Sequence, residues 1–309
     1  MDYRTRHNGS MRQFIFILFF FVLSTPALAW NAAGHRLAAF IAWQQLSPQT
    51  RDAISQALAR HPDYQHWEKR AHTDSDVAIF AEASTWPDDI RNDPRFYDED
   101  KEPPTPTQPG LPDTARHKRW HYVDLNGRGK VEAGELDQQI ERLSHLLRST
   151  GKNIDISNAL PWLEHLVADI HQPLHVGRYG DEGGNPVDIE NPFNQRLPVS
   201  NVHTYWDDLP GPPWLRGKRL EKIADQLMAH YPAPAQGNVA QWRDESHRLL
   251  TQAYPDTNGN RLPTITESFQ QRARNIANQR IVDAGYRLGR LLESIFSHGV
   301  HVAPARIAP

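Results

Sequence analysis

Apolar residues recur every three to four positions through most of the chain, which predicts a succession of amphipathic helices. Residues 31–46 carry them at this spacing, with His35 one turn in, and residues 49–61 give a second helix. A third runs over 74–86 and stops at Pro87, whose ring removes a donor and clashes one turn back. Residues 132–150 and 154–171 follow, then 215–230, 239–254 and 265–296. Between 176 and 213 glycine, proline and asparagine make the chain irregular, apart from a short helix expected at 203–207. Residues 92–118, with five prolines between 103 and 112, read as a surface loop. There is no run of alternating strands and no internal repeat. The expected fold is all-α, a single mainly helical domain.

The first 29 residues stand apart. Arg4, Arg6 and Arg12 precede an apolar run over 14–23, and Thr25-Pro-Ala-Leu-Ala29 closes with an Ala-x-Ala pattern. This is the layout of a cleaved secretory signal peptide, and the apolar run is too short to span a bilayer comfortably; an uncleaved anchor is the alternative. Cleavage after Ala29 leaves a domain of residues 30–309 that begins at Trp30, secreted or periplasmic and free of the membrane. Its removal takes away three arginines and one aspartate, so the formal charge moves from −3 to −5. No global basic field attracts polyanions, and any nucleic-acid binding must come from a local site. The absence of cysteine excludes disulfides and thiolate metal sites. Metal ligation, if present, falls to histidine and carboxylates, a set that suits zinc.

Candidate chemistry centres on residues 162–175. His165 and Asp169 are four apart, on one face of a helix, where imidazole and carboxylate can close on a divalent cation. His175 follows Pro173, where the chain turns away. His203 and Asp207 repeat the spacing. His35, Asp88 and His121 complete a set of eight side chains, more than one four-coordinate zinc uses. Two or three ions sharing a bridging carboxylate would use them all. Each has a plainer reading: His35 and His121 as core histidines, Asp88 as a polar helix end, His165/Asp169 as an exposed pair. His171 falls round the helix from Asp169 and is left out. His61, His66, His72, His117, His145, His230 and His247 read as solvent-facing.

The segments Trp30-Asn-Ala-Ala-Gly34-His35, Trp86-Pro-Asp88-Asp-Ile-Arg91, Trp120-His121-Tyr-Val-Asp124, His165-xxx-Asp169-xx-Gln172-Pro-Leu-His175, Gly183-Gly-Asn185 and His203-xxx-Asp207 occur in this order. Together they resemble the zinc-dependent single-strand-specific nucleases and 3′-nucleotidases, which share a fold with zinc-dependent phospholipase C. The resemblance implies a secreted, mainly helical enzyme with three Zn2+. One ion would take Asp88, His121, His165 and Asp169. A second would share Asp169 and add His35 with the main-chain nitrogen and oxygen of Trp30. The third would take His175, His203 and Asp207. A free α-amino group has a pKa near 8, so zinc can bind it deprotonated near neutrality, and signal cleavage would create a ligand. Clustered zincs suit phosphodiester hydrolysis, activating water and clamping phosphoryl oxygens. Asp88 would orient the attacking water and Arg91 would meet the growing charge as a planar donor, though Arg91 also reads as an ordinary helix-end salt bridge. Tyr122 would stack on a base, with Asp124 and Asn185 lining the base pocket. The implied substrates are single-stranded DNA and RNA, cut to 5′-phosphate products, and 3′-nucleotides. A monomer without a stable protein partner is expected.

Three other readings compete. Residues 124–135 place Asp, Asn, Gly and Glu as in a calcium loop, but Arg128 occupies a position that needs an oxygen. A phospholipase C-type phosphodiesterase would use the same fold and metals; Tyr122, Asp124 and the segment 86–91 favour nucleic acid. A non-catalytic zinc carrier would need neither Arg91 nor an aromatic shelf.

Overall fold

The computed structural model describes residues 30–149, 153–256, 259 and 262–297. The proposed signal peptide lies outside these. Among the described residues eleven α-helices dominate. α1 (Ala32–Gln44) is the central rod, with every residue from Ala33 to Trp43 buried. A helix apolar or small on all sides must be surrounded, and α1 packs against α4 (Asp76–Ala83), α7 (Asn153–Asp169), α9 (Gly217–His230) and α11 (Glu267–Phe296). The α1–α11 crossing is close because α11 offers Gly285 and Gly289. A Cβ on Gly285 would lie 2.5 Å from Ile41 Cβ, and one on Gly289 would lie 2.8 Å from the Ala42 carbonyl. α2 (Pro48–Leu58) and α6 (Leu136–Ser149) cover α7 on other sides, and α10 (Val239–Ala253) lies against the turn that follows it.

Most predicted helices are present, with three instructive departures. α3 (Tyr64–Ala71) was not foreseen; its only buried residue is Trp67, so it carries no apolar stripe. Pro87 does not end a helix: α4 stops at Ala83, and Pro87 sits in the first turn of the four-residue α5 (Trp86–Asp89). A proline is tolerated there because first-turn N–H groups have no intrahelical partner. Pro161 lies inside α7, which continues through it as the expected helix over 154–171 requires. Residues 132–134, expected as helix, belong instead to a strand.

That strand is part of a small sheet. β1 (Val123–Leu125) pairs antiparallel with β2 (Val131–Gly134) and parallel with β3 (Val176–Arg178). The calcium-loop reading of 124–135 is thereby replaced by a hairpin. Asn126 Oδ1 accepts from the N–H groups of Arg128 and Lys130, the local bonding by which asparagine favours turns. A second pair, β4 (Asp188–Glu190) and β5 (Val199–Asn201), leads straight into α8 (Val202–Asp207). These short strands anchor the segments that carry His121, His175 and His203. No helix among the described residues is long and apolar enough to cross a membrane.

Candidate metal centre and substrate cavity

α7 delivers His165 and Asp169 from one face, one turn apart, and both are fully buried. α1 brings His35 beside them, its ring stacked on that of His165 with centroids 3.8 Å apart. Asp88 arrives on α5, and His121 on a 3-10 turn spanning Lys118–His121. Asp169 sits among three imidazoles: Oδ1 lies 3.5 Å from His35 Nε2, and Oδ2 lies 3.1 Å from His121 Nδ1 and 3.3 Å from His165 Nε2. Its two oxygens thus address different rings, as a bridging carboxylate requires. Asp88 lies between His35 Nε2, at 4.0 Å, and His165 Nε2, at 3.8 Å. Asp88 thus stands at a comparable distance from both rings.

A second cluster gathers His175, His203 and Asp207. Here the tautomers are fixed. His175 Nδ1 donates to the His121 carbonyl and His203 Nδ1 to the Gly183 carbonyl, so both Nε2 atoms carry lone pairs. Those lone pairs face one another at 3.2 Å, with Asp207 Oδ2 3.5 Å from His203 Nε2. Two acceptors cannot bond each other; a cation between them resolves the contact. His165 follows the same rule, its Nδ1 donating to the Ser84 carbonyl and its Nε2 turned to the carboxylates. Both nitrogens of His35, Nε2 of His121 and Oδ1 of Asp169 are buried without a hydrogen-bond partner. Such atoms are costly unless something else satisfies them. The donor set, all imidazole and carboxylate, fits zinc. Gln172 supports the second cluster by donating to Asp207 Oδ1 at 2.9 Å. Trp30 is buried, and the adjacent Asn31 N–H donates to the Asp207 carbonyl at 3.1 Å.

Burial governs the protonation tendencies. It pushes Asp169 up to about 6 and Asp207 well above the carboxylate range. Burial, reinforced by the neighbouring cations and rings, holds His35, His121 and His175 well below the usual imidazole value. His165 is also opposed by burial, yet Asp169 and Asp88 raise it on balance. Neutral imidazoles are what a metal needs, and a cation would reverse the cost of ionising the carboxyls.

A cavity of about 380 Å³ opens over these clusters, lined by Arg91, Lys118, His121, Tyr122, Asp124, Leu174, His175, Glu182, Gly183, Asn185 and His203. Arg91, Tyr122, Asp124 and Asn185 were all anticipated in it. The Arg91 guanidinium contacts Asp88 Oδ1 at 3.0 Å, so it both lines the cavity and makes the salt bridge of its plainer reading. Burial and the neighbouring Asp181 push Asp124 up to about 6. Asn185 donates to the Glu182 carbonyl at 2.8 Å. Gly183 has φ +60°, and a Cβ there would approach the Leu174 carbonyl to 2.8 Å and His203 Nδ1 to 3.0 Å. Only glycine lets the wall pass this closely over the imidazole.

Sequence reasoning missed Lys118 and Glu182. The available signal was position: Lys118 shares the turn that carries His121, and Glu182 directly precedes Gly183-Gly-Asn185. It also misplaced His61, which is buried and stacked on Trp67.

A mainly helical domain that buries His/Asp clusters beneath a cavity containing an arginine and an aromatic is built as a phosphodiester hydrolase. The family then follows: the S1/P1 nuclease model matches residues 30–297, and the chain belongs to the S1/P1 nuclease family. It is 26% identical to Endonuclease 4 of Arabidopsis thaliana, over 94% of this chain and 97% of that protein. Endonuclease 3 of the same plant is 26% identical over 93% of this chain and 96% of that protein. Nuclease S1 of Aspergillus oryzae is 23% identical over 60% of this chain and 55% of its own length. The chain is a nuclease, a hydrolase of nucleic-acid phosphodiester bonds.

Proposed function

We propose that the protein is an exported endonuclease that cleaves single-stranded DNA and RNA to 5′-phosphate products, holds three Zn2+, and also removes 3′-phosphates from nucleotides. The observation that carries this reading is the cavity itself, where Arg91, Tyr122, Asp124 and Asn185 face the histidine and aspartate clusters. Asp88, His121, His165 and Asp169 would hold one ion; Asp169, His35 and the main chain of Trp30 a second; His175, His203 and Asp207 the third. Zinc bound there would supply water activation near neutral pH and charge neutralisation at phosphorus.

The chain's own residues do the rest. Arg91, held by Asp88, presents a planar donor to the phosphoryl oxygens as charge grows on them. Asp88 positions the attacking water. Tyr122, half-buried at the cavity wall, offers a face for a base, worth about 1–3 kcal/mol and tolerant of sequence. Asp124 and Asn185 meet the base edge. Within a duplex those faces and edges are covered, so unpaired strands are preferred. Export rests on residues 1–29, whose removal would free the amino group of Trp30. A monomer suffices, since every proposed site residue comes from one chain.

The test offers the zinc-loaded protein single-stranded DNA, RNA, a 3′-mononucleotide and a choline phospholipid side by side. Cleavage of both nucleic acids with release of 5′-phosphate ends is expected. Cleavage of the lipid alone would overturn the reading in favour of a phospholipase C-type enzyme.

A further inference from the structure

Among the described residues, Lys118 and Arg91 are the lysine and arginine side chains that line the substrate cavity. The two are presented differently. Arg91 is nearly enclosed and tied to Asp88 beside the proposed reacting centre, whereas the Lys118 side chain is 39% exposed. Lys118 is also held in place. Its ammonium pairs with the carboxylate of Asp98, a nearly buried group whose Oδ1 accepts from the Asp100 N–H. Asp98 in turn is held below the usual carboxylate range, first of all by its hydrogen bond from Lys118.

The backbone that presents Lys118 is strained. His117, just before it, has φ +48°, a left-handed conformation uncommon for a non-glycine residue. It is maintained by stacking of the His117 ring on Trp120 at 3.6 Å and by contacts to Asp113 and Glu99. From this corner a single 3-10 turn directs both His121 and Lys118 to the cavity. Glu182, which lines the cavity too, is another of the non-glycine residues with positive φ, at +49°.

We propose that Lys118 binds a second phosphate of the substrate strand, adjacent to the scissile one, and so gives the enzyme its grip on polynucleotides. An ammonium has three N–H donors, and Asp98 need occupy only one. Fixing the tip beforehand reduces the side-chain ordering that binding would otherwise cost. In a chain of net negative charge, with Asp124 and Glu182 in the same cavity, a local cation is needed where the polyanion enters. The proposal rests on the nuclease reading of this cavity.

The test measures KM and kcat of the zinc-loaded protein on single-stranded oligonucleotides of increasing length, across a salt series. Lys118→Gln is expected to raise KM roughly three- to tenfold for a twelve-mer, and less for a dinucleotide, with kcat held. The slope of log affinity against log salt should flatten by about 0.7, the value for one phosphate contact on a single strand. Lys118→Arg should restore the slope, and Lys222→Gln, on the exposed face of α9, should leave it unaltered. Asp98→Asn separates recognition from a structural role: with the competing charge gone, KM should stay at or below the wild-type value. If Asp98→Asn raises KM as Lys118→Gln does, the pair is structural and the proposal fails. An unchanged KM and slope in Lys118→Gln also overturns it, while wild-type protein that cleaves no oligonucleotide overturns the nuclease reading instead.

Discussion

His165 and His171 leave the same end of α7, six residues apart and both fully buried, yet they stand in opposite circumstances. His171 is complete. Its Nδ1 donates to the Val167 carbonyl at 2.7 Å, and its Nε2 accepts from Arg287 at 2.9 Å. Arg287 is bound by both oxygens of Glu245, and Arg280 adds bonds to Glu245, Asp283, Ser246 and the His171 carbonyl. Charges and donors there answer one another. Across the helix, His165 turns its Nε2 toward Asp169, Asp88 and His121, and among the described residues no arginine or backbone donor meets it there as Arg287 meets His171. The lesson is that burial does not separate a structural histidine from a ligand. What separates them is whether the protein already supplies the partner of the second nitrogen.

Substitutions in the incomplete cluster should have the largest effect. Asp169→Asn should remove two zincs at once and lower kcat/KM on the order of a thousandfold or more, the several kcal/mol that metal ions contribute at phosphorus. Loss of a single zinc, read by metal analysis, would contradict the bridging role. In the complete cluster, Arg287→Ala should leave the zinc content unchanged while removing about 2–3 kcal/mol of stability, less than a fully buried pair because Glu245 is partly exposed. Denaturant unfolding and metal analysis on the same sample decide this; a loss of zinc without a loss of stability would reverse the assignment.

Gln172 sits between the two regions and sharpens the distinction. Its amide donates to Asp207, so Gln172→Ala should weaken the third zinc about 10- to 100-fold in a chelator titration while the other two remain. Equal weakening of all three would contradict separate sites.

His61 is the smallest and most discriminating case. Its Nε2 is buried without a partner, as an unfilled ligand's would be. However, its Nδ1 accepts from the Asp63 N–H, so Nε2 carries the proton rather than a lone pair, and the ring packs against Trp67 and Trp86. Burial lowers its pKa to about 4. The unfolded chain binds a proton below about pH 6.5 that the folded chain refuses, so this contribution to stability is present above 6.5 and lost as pH falls toward 4. By pH 5 the loss should be about 1–2 kcal/mol, measured as the difference in pH dependence between wild type and His61→Leu. Identical pH dependence in the two proteins would contradict it.

Much of this site could be read from the sequence because its logic is local. His165/Asp169 and His203/Asp207 declare themselves by helical spacing, and the helices beneath them by apolar period. The hairpin at 123–134 could not be read this way. Its strands span three and four residues, too short for alternation to register, and they exist because β3 arrives from fifty residues away. The acids and asparagine of 124–135 imitate a calcium loop, but Asn126 spends its side-chain oxygen on the turn backbone. Lys118 and Glu182 enter the cavity through left-handed corners at His117 and at Glu182 itself, which residue type does not announce. His61 looks polar in sequence and is buried only because Trp67 and Trp86 converge on it from α3 and α5.

Histidines, aspartates and the amino end at Trp30 are proposed together to hold three zinc ions. Native mass spectrometry of the dialysed chain beginning at Trp30, beside one carrying a single extra residue before it, tests this most directly. Three zincs in the first chain and fewer, with most activity lost, in the second are predicted. No tightly held zinc in the first, or equal zinc and full activity in both, would contradict it.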